Sequence, residues 1–206
     1  MKTVAIIDYG MGNLHSARKA VEHVAPDCTV LVTDDAAKIR EADRVILPGV
    51  GAIRDCMAEM HRLGVVELVK EVSQDRPFLG ICVGMQLMAD VGEEMGEHAG
   101  LGWMRGRVRR LEPGTMDAKV PHMGWNDVAL GLHDPASGLI EPGEAYFLHS
   151  YHFAPEDGHT VAAMTDHGGG LVAAVARDNV VGVQFHPEKS QVYGLSLLSR
   201  FLEWKP

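Results

Sequence analysis

The chain lacks any run of apolar residues near the roughly 18 that a membrane-spanning helix needs, which excludes a helical membrane protein as its class. Basic charge is in deficit: 19 Lys and Arg stand against 28 Asp and Glu, for a formal net charge of −9. Phosphate contacts need a basic face, so a general nucleic-acid binder is set aside. The local basic stretch from Arg105 to Arg110 reads as a solvated strand or loop. Cysteine is scarce as well. Cys28, Cys56 and Cys82 cannot all pair, and their spacing fits no zinc pattern. A reduced, cytoplasmic protein is therefore expected, and the N-terminus lacks the layout of a signal peptide. The short glycine-rich pieces match neither the dinucleotide nor the P-loop pattern, so no nucleotide site is expected.

What is present is an ordinary globular composition. Hydrophobic residues make up 46% and charged residues 23% of 206 positions, which suits a single α/β domain over residues 1–206. Val4 to Asp8, Cys28 to Thr33, Arg44 to Leu47 and Pro77 to Ile81 read as short buried strands. Asn13 to Val24, Ala36 to Glu41, Ala52 to Val72 (broken near Gly64) and Val83 to Val91 read as helices. Such alternation predicts a mostly parallel central sheet with helices on both faces. After residue 100 the texture changes to short strand-like runs between Gly and Pro turns: Gly106 to Leu111, Ala145 to Phe153, Thr160 to Thr165 and Gly170 to Arg177. A turn at Arg177-Asp178-Asn179 leads into a final strand, Val180 to Phe185, so these runs form a smaller antiparallel meander. Val192 to Trp204 is helical, and the loop-rich stretch from Asp127 to Glu144 receives no element.

Two motifs carry chemistry. In Pro77-Phe-Leu-Gly-Ile-Cys82-Val-Gly-Met-Gln-Leu-Met88, an apolar run leads into Cys82 and a helical pattern leads out. Gly80 and Gly84 flank the cysteine two residues to either side, as in a nucleophile elbow with sulfur in place of a hydroxyl. A nucleophile there sits at a helix N-terminus, where free N–H groups and the dipole stabilise a thiolate. Alone, Cys82 would pass for a buried structural thiol. It is accompanied by Val180-Val-Gly-Val-Gln-Phe-His186-Pro-Glu188, in which a strand ends at a histidine and a carboxylate one proline apart. In an extended chain residues i and i+2 share a side, so Glu188 can orient the His186 imidazole while its other nitrogen faces a nucleophile. Cys82, His186 and Glu188 then form a triad that activates a thiol for acyl transfer. Eleven histidines raise the question of a metal, but His149 and His152 lie three apart on an extended run and face opposite sides. No metal site is expected, and His122, His149 and His152 are assigned to a cleft or interface.

With Asp8-Tyr-Gly-Met-Gly-Asn13, Leu47-Pro-Gly-Val-Gly51, Pro121-His-Met-Gly-Trp-Asn126, Tyr146-Phe-Leu-His-Ser-Tyr151 and Phe185-His-Pro-Glu-Lys-Ser190, the chain resembles the class I, triad-type glutamine amidotransferases from residue 4 to about residue 204. Within that class the Asp8–Asn13 and Pro121–Asn126 segments are similar to the glutaminase subunits of imidazole glycerol phosphate synthase. The resemblance implies a flavodoxin-like core and hydrolysis of glutamine to glutamate and ammonia through a thioester on Cys82, without a cofactor. It implies an oxyanion hole from the backbone N–H of Val83 and one from Val50 or Gly51, and a glutamine site at Gly49, Gln86, Glu94, Tyr146, Ser150 and Tyr151. It also implies a partner: a (β/α)8-barrel cyclase, joined as a heterodimer, that uses the ammonia to make imidazole glycerol phosphate and an aminoimidazole carboxamide ribotide in histidine biosynthesis. Asn13, Met123, Trp125, Asn126 and Lys189 would lie at or near that interface. Trp125 reads equally as an interface anchor or a core residue. The glutaminase would stay latent until the cyclase site fills and the Gly49–Val50 peptide flips. Three alternatives remain open: the glutaminase of a pyridoxal phosphate or anthranilate synthase, a stand-alone cysteine hydrolase, and a non-catalytic regulatory subunit. The two distinguishing segments argue against the first, and the intact triad argues against the last.

Overall fold

A computed structural model describes residues 2–112, 114 and 118–206 of the chain. The first part alternates β1 (Thr3–Ile7), α1 (Leu14–Val24), β2 (Thr29–Thr33), α2 (Ala36–Glu41), β3 (Arg44–Gly49), α3 (Ile53–Arg62), α4 (Val65–Val72) and β4 (Phe78–Cys82). The second contains α5 (Val83–Gln86), β5 (Val91–Gly92), β6 (His98–Ala99), β7 (Gly106–Arg110), β8 (His122–Leu130), β9 (Gly143–His149) and β10 (Tyr151–Pro155). It closes with β11 (Val161–Asp166), β12 (Gly170–Arg177), β13 (Val180–Val183), a 3-10 turn at Pro187–Lys189 and α6 (Gln191–Glu203).

Continuous apolar runs make β3, β4 and β13 buried on both faces, as parallel strands between helical layers must be. Nine strands form one sheet in the order β2-β1-β3-β4-β13-β12-β11-β8-β9. The pairs from β2 to β13 are parallel, and those beyond β13 are antiparallel. The meander thus continues the central sheet, while β10, β7, β5 and β6 form a second sheet of four strands. Helix α1 packs on α6, and α4 packs on both α2 and α3. Right-handed crossovers in this strand order put those two groups on opposite faces of the sheet. Gly64, at φ 69°, separates α3 from α4 in the left-handed region that glycine enters without strain. Among the described residues, no helix is long and apolar enough to cross a membrane.

Three expectations need correction. The helix after Cys82 ends at Gln86 rather than Val91. The N–H groups of Leu101, Gly102, Trp103 and Met104 bond the carbonyls of Leu87, Ala89, Met88 and Met88, so the carbonyls a longer helix would use are taken. The run from Ala145 to Phe153 is two strands, because the chain leaves the central sheet at Ser150 and β10 joins the second sheet. In the unassigned stretch, Asp127 to Leu130 extends β8 and Gly143 begins β9, and the loop between them buries Ala136, Leu139 and Ile140.

Candidate active site

The elbow is a steric requirement. Cys82 adopts φ 55° and ψ −110°, a conformation that costs a non-glycine residue on the order of 1–3 kcal/mol. It aims the side chain into a cleft of about 550 Å³ and starts α5 with Val83. A Cβ on Gly84 would stand 1.9 Å from the Leu47 carbonyl oxygen, and one on Gly80 would stand 2.6 Å from the Gly84 carbonyl oxygen. Both flanking residues must therefore be glycine for β3, β4 and α5 to come together.

Residue His186 arrives from β13, the parallel neighbour of β4, so the carboxyl ends of two adjacent strands bring sulfur and imidazole together. Its backbone is fixed by its N–H donating to Tyr146 O at 2.9 Å and by the Ser190 hydroxyl donating to its carbonyl at 2.6 Å. The His186 ring bonds Glu188 Oε1 through Nδ1 at 2.8 Å. Glu188 does not lie on an extended continuation of the strand, as expected, but in the 3-10 turn, whose curl brings the carboxylate back to the ring. Asn13 Nδ2 donates to the same oxygen at 3.3 Å, and Glu188 Oε2 is buried without a hydrogen-bond partner among the described residues. Burial lowers the His186 pKa, but hydrogen bonds and charge from Cys82 and Glu188 outweigh it and push the imidazole up to about 10.

The cleft brings together Cys82, Val83, Val50, Gly51, Gln86, Glu94, Ser150, Tyr151, His186, Lys189 and Asn13. Two expected glutamine-site residues stand outside it. Gly49 is buried beneath, where a Cβ would stand 2.7 Å from Gly84 N and 2.9 Å from the Tyr9 hydroxyl. Tyr146 instead meets Trp125 edge-on at 6.0 Å, with Lys189 Nζ 5.9 Å over its ring. Gln86 commits its amide nitrogen to Tyr151 O at 2.8 Å and Gln184 Oε1 at 2.9 Å. Glu94 follows β5, and burial, then the charge of Asp55, raises its carboxyl pKa.

Gln184 was missed. It is fully buried, and its Nε2 lies 3.7 Å from Cys82 Sγ. Its sequence signal was a lone amide inside an apolar strand, two residues before His186.

Of the expected interface residues, Met123 is 65% and Trp125 43% exposed, so Trp125 is not a core residue. Asn126 points inward, donating to His122 Nε2 at 3.0 Å and to Asp166 O at 2.7 Å. Of the histidines assigned to a cleft or interface, His149 lines the cleft, whereas His122 is buried behind it. His122 Nδ1 lies 2.9 Å from His149 Nε2, and His149 Nδ1 lies 2.9 Å from Tyr151 O, a chain satisfied by two neutral rings. His167 stacks on His122 at 4.1 Å. Burial, followed by the His167 charge, lowers His122 to about 4. Burial also lowers His149 to about 3, with smaller contributions from His122, His152 and His167. The unfolded chain takes up these protons below the ordinary value of 6.5 while the folded chain does not, so stability is complete above that pH and falls as pH drops toward 4. Urea denaturation at pH 7 and pH 5 should show wild type losing about 3–4 kcal/mol more on acidification than a His122→Asn, His149→Asn variant. Equal losses would refute the role of the pair.

An elbow cysteine beside a His–Glu pair, at the carboxyl edge of a flavodoxin-like sheet, defines a triad-type amidotransferase. The family model "Glutamine amidotransferase class-I" matches residues 5–203, and the chain belongs to that family. Its curated relatives narrow the placement to one member. It is 54% identical to the imidazole glycerol phosphate synthase subunit HisH of Zymomonas mobilis, over 99% of this chain and 97% of that one. To the protein of the same name in Rhodospirillum rubrum it is 51% identical, over 98% and 99%. The chain is a member of the HisH family. A solved glutamine amidotransferase with 18% identity superposes with a TM-score of 0.72 over 98% of this chain and 97% of its own, a likeness of fold alone.

Proposed function

We propose that the chain, acting as one cytoplasmic amidotransferase domain over residues 1–206, hydrolyses L-glutamine to L-glutamate and ammonia. The observation that carries this reading is the convergence of Cys82 and His186 in one cleft, with Glu188 bonded to the His186 ring at 2.8 Å. His186 takes the Cys82 thiol proton as the sulfur attacks the side-chain carboxamide carbon, and gives that proton to the nitrogen as the C–N bond breaks and ammonia departs. The thioester left on Cys82 is attacked by water, whose proton passes to His186, and glutamate leaves. Glu188 holds the imidazole tautomer and offsets its charge. Both tetrahedral intermediates carry an oxyanion, met by the N–H of Val83 and one from the Val50–Gly51 segment, each worth on the order of 3 kcal/mol. Gln86, Glu94, Ser150 and Tyr151 face the substrate.

The ammonia passes to a (β/α)8-barrel cyclase bound as a heterodimer, which makes imidazole glycerol phosphate and an aminoimidazole carboxamide ribotide in histidine biosynthesis. Supporting this, Met123 and Trp125 of β8 pair across the strands with Leu148 and Tyr146 of β9, giving a half-exposed apolar patch at the cleft rim. Interface cores favour aromatics and Met. Asn13 and Lys189 border the same rim, and the Gly49–Val50 peptide turns when the cyclase is loaded. Glutamate release is the test, with the chain alone, with the cyclase, and with the cyclase plus its ribonucleotide ligand. Activity concentrated in the last mixture supports the reading. Equal activity in all three removes the gate, and none in any removes the glutaminase.

A further inference from the structure

The loop that carries Val50 and Gly51 is fastened from beneath by two side chains with no place in the reaction above. Tyr9, just past β1, is fully buried and donates its hydroxyl to Pro48 O at 2.9 Å. Cys56, in the first turn of α3, is fully buried and donates its thiol to Val50 O at 3.3 Å. The two groups also lie against each other. Both stay protonated, and so remain donors, at neutral pH. Burial pushes the Cys56 thiol up to about 11, and burial, then the neighbouring Cys56, holds the Tyr9 phenol well above its ordinary value.

A trans peptide points its carbonyl and its N–H in opposite directions. Tying the Pro48 and Val50 carbonyls inward therefore turns the N–H of Gly49 and of Gly51 outward, and Gly51 lines the cleft. Between these two anchored peptides lies one other, Gly49–Val50, and among the described residues no side-chain bond fastens it. We infer that Tyr9 and Cys56 are positioning residues for the oxyanion loop: they hold the Pro48–Gly49 and Gly51-bearing peptides in place and confine any rotation to Gly49–Val50. This rests on the glutaminase reading above and adds the device that orients its second oxyanion donor.

The test uses the full chain with its cyclase and ribonucleotide ligand, comparing Tyr9→Phe, Cys56→Ala and Cys56→Ser with wild type. Tyr9→Phe removes one O–H and almost no volume. Cys56→Ala removes a donor, and Cys56→Ser restores one. Tyr9→Phe and Cys56→Ala should each lower kcat for glutamine by about tenfold or more with KM nearly unchanged, as loss of an interaction made only in the transition state requires. Cys56→Ser should recover most of the kcat. Alkylation of Cys82 by iodoacetamide, followed by peptide mapping, forms no oxyanion and should proceed at the wild-type rate in every variant. Unchanged kcat in Tyr9→Phe and Cys56→Ala would overturn the inference. So would a parallel fall in alkylation and turnover, which would mean general damage to the cleft. A wild type that releases no glutamate fails the glutaminase reading itself and is told apart by that first measurement.

Discussion

Replacing Cys82 with Ala should lower glutamine-dependent turnover by about 10⁴-fold or more while leaving ammonia-dependent synthesis by the cyclase complex near wild type. Truncation removes the thiol that stands beside His186 in the cleft. His186 and Glu188 remain paired at 2.8 Å but have no thiol to activate. The fold should survive, because the Cys82 Sγ contacts to Gln184 Nε2 and Leu148 O are long, at 3.7 and 3.9 Å. Removing the side chain also relieves none of the elbow strain, since alanine at φ 55° is no better placed than cysteine. The measurement is product formation with glutamine and, separately, with ammonium salt as nitrogen source. Loss of both activities would reassign Cys82 to a structural role.

Gly84→Ala should be among the most damaging single methyl additions to the described residues. The new Cβ would stand 1.9 Å from the Leu47 carbonyl oxygen and 3.0 Å from its carbon. That carbonyl belongs to β3, which is paired on both sides, so it has nowhere to retreat. Either α5 lifts from the sheet, carrying the Val83 N–H out of the cleft, or β3 moves away from β4. Overpacking against a fixed backbone places the expected destabilisation above about 3 kcal/mol. Gly158→Ala, where a Cβ meets nothing within 4 Å, is the control and should change stability by less than about 0.5 kcal/mol. Urea denaturation of both variants decides it. A Gly84→Ala protein as stable as the control would show that the elbow tolerates a side chain there, and the steric account of the motif would fail.

Some of this was available from residue order. Local periodicity marked β12 at Gly170–Arg177 and α2 at Ala36–Glu41 to the residue. Small residues at two-residue offsets marked the elbow, because a tight turn admits nothing larger at Gly80 and Gly84. His186 and Glu188 were legible because two residues separated by one proline remain within reach of each other, even though their bond is made across a 3-10 turn. The helix beyond Gln86 was misread for a definite reason. Leu87, Met88 and Ala89 look helical in order but are buried on every side, and a distant loop takes their carbonyls.

The remainder required the chain to be folded. That Cys82 and His186 meet at all follows from β13 pairing with β4 across a sequence separation of about a hundred residues, a register no local pattern encodes. The same register turns Gln184 toward the sulfur and leaves Tyr146 with Trp125 and Lys189 outside the cleft. Asn13 reached Glu188, and Tyr9 and Cys56 reached the carbonyls of Pro48 and Val50, through packing between separate elements. Residue identity sets which groups can react, through nucleophilicity, proton affinity and the space a side chain takes. Long-range strand pairing and core packing set which of those groups stand within hydrogen-bond distance, because distances of about 3 Å are fixed only when every element is in place.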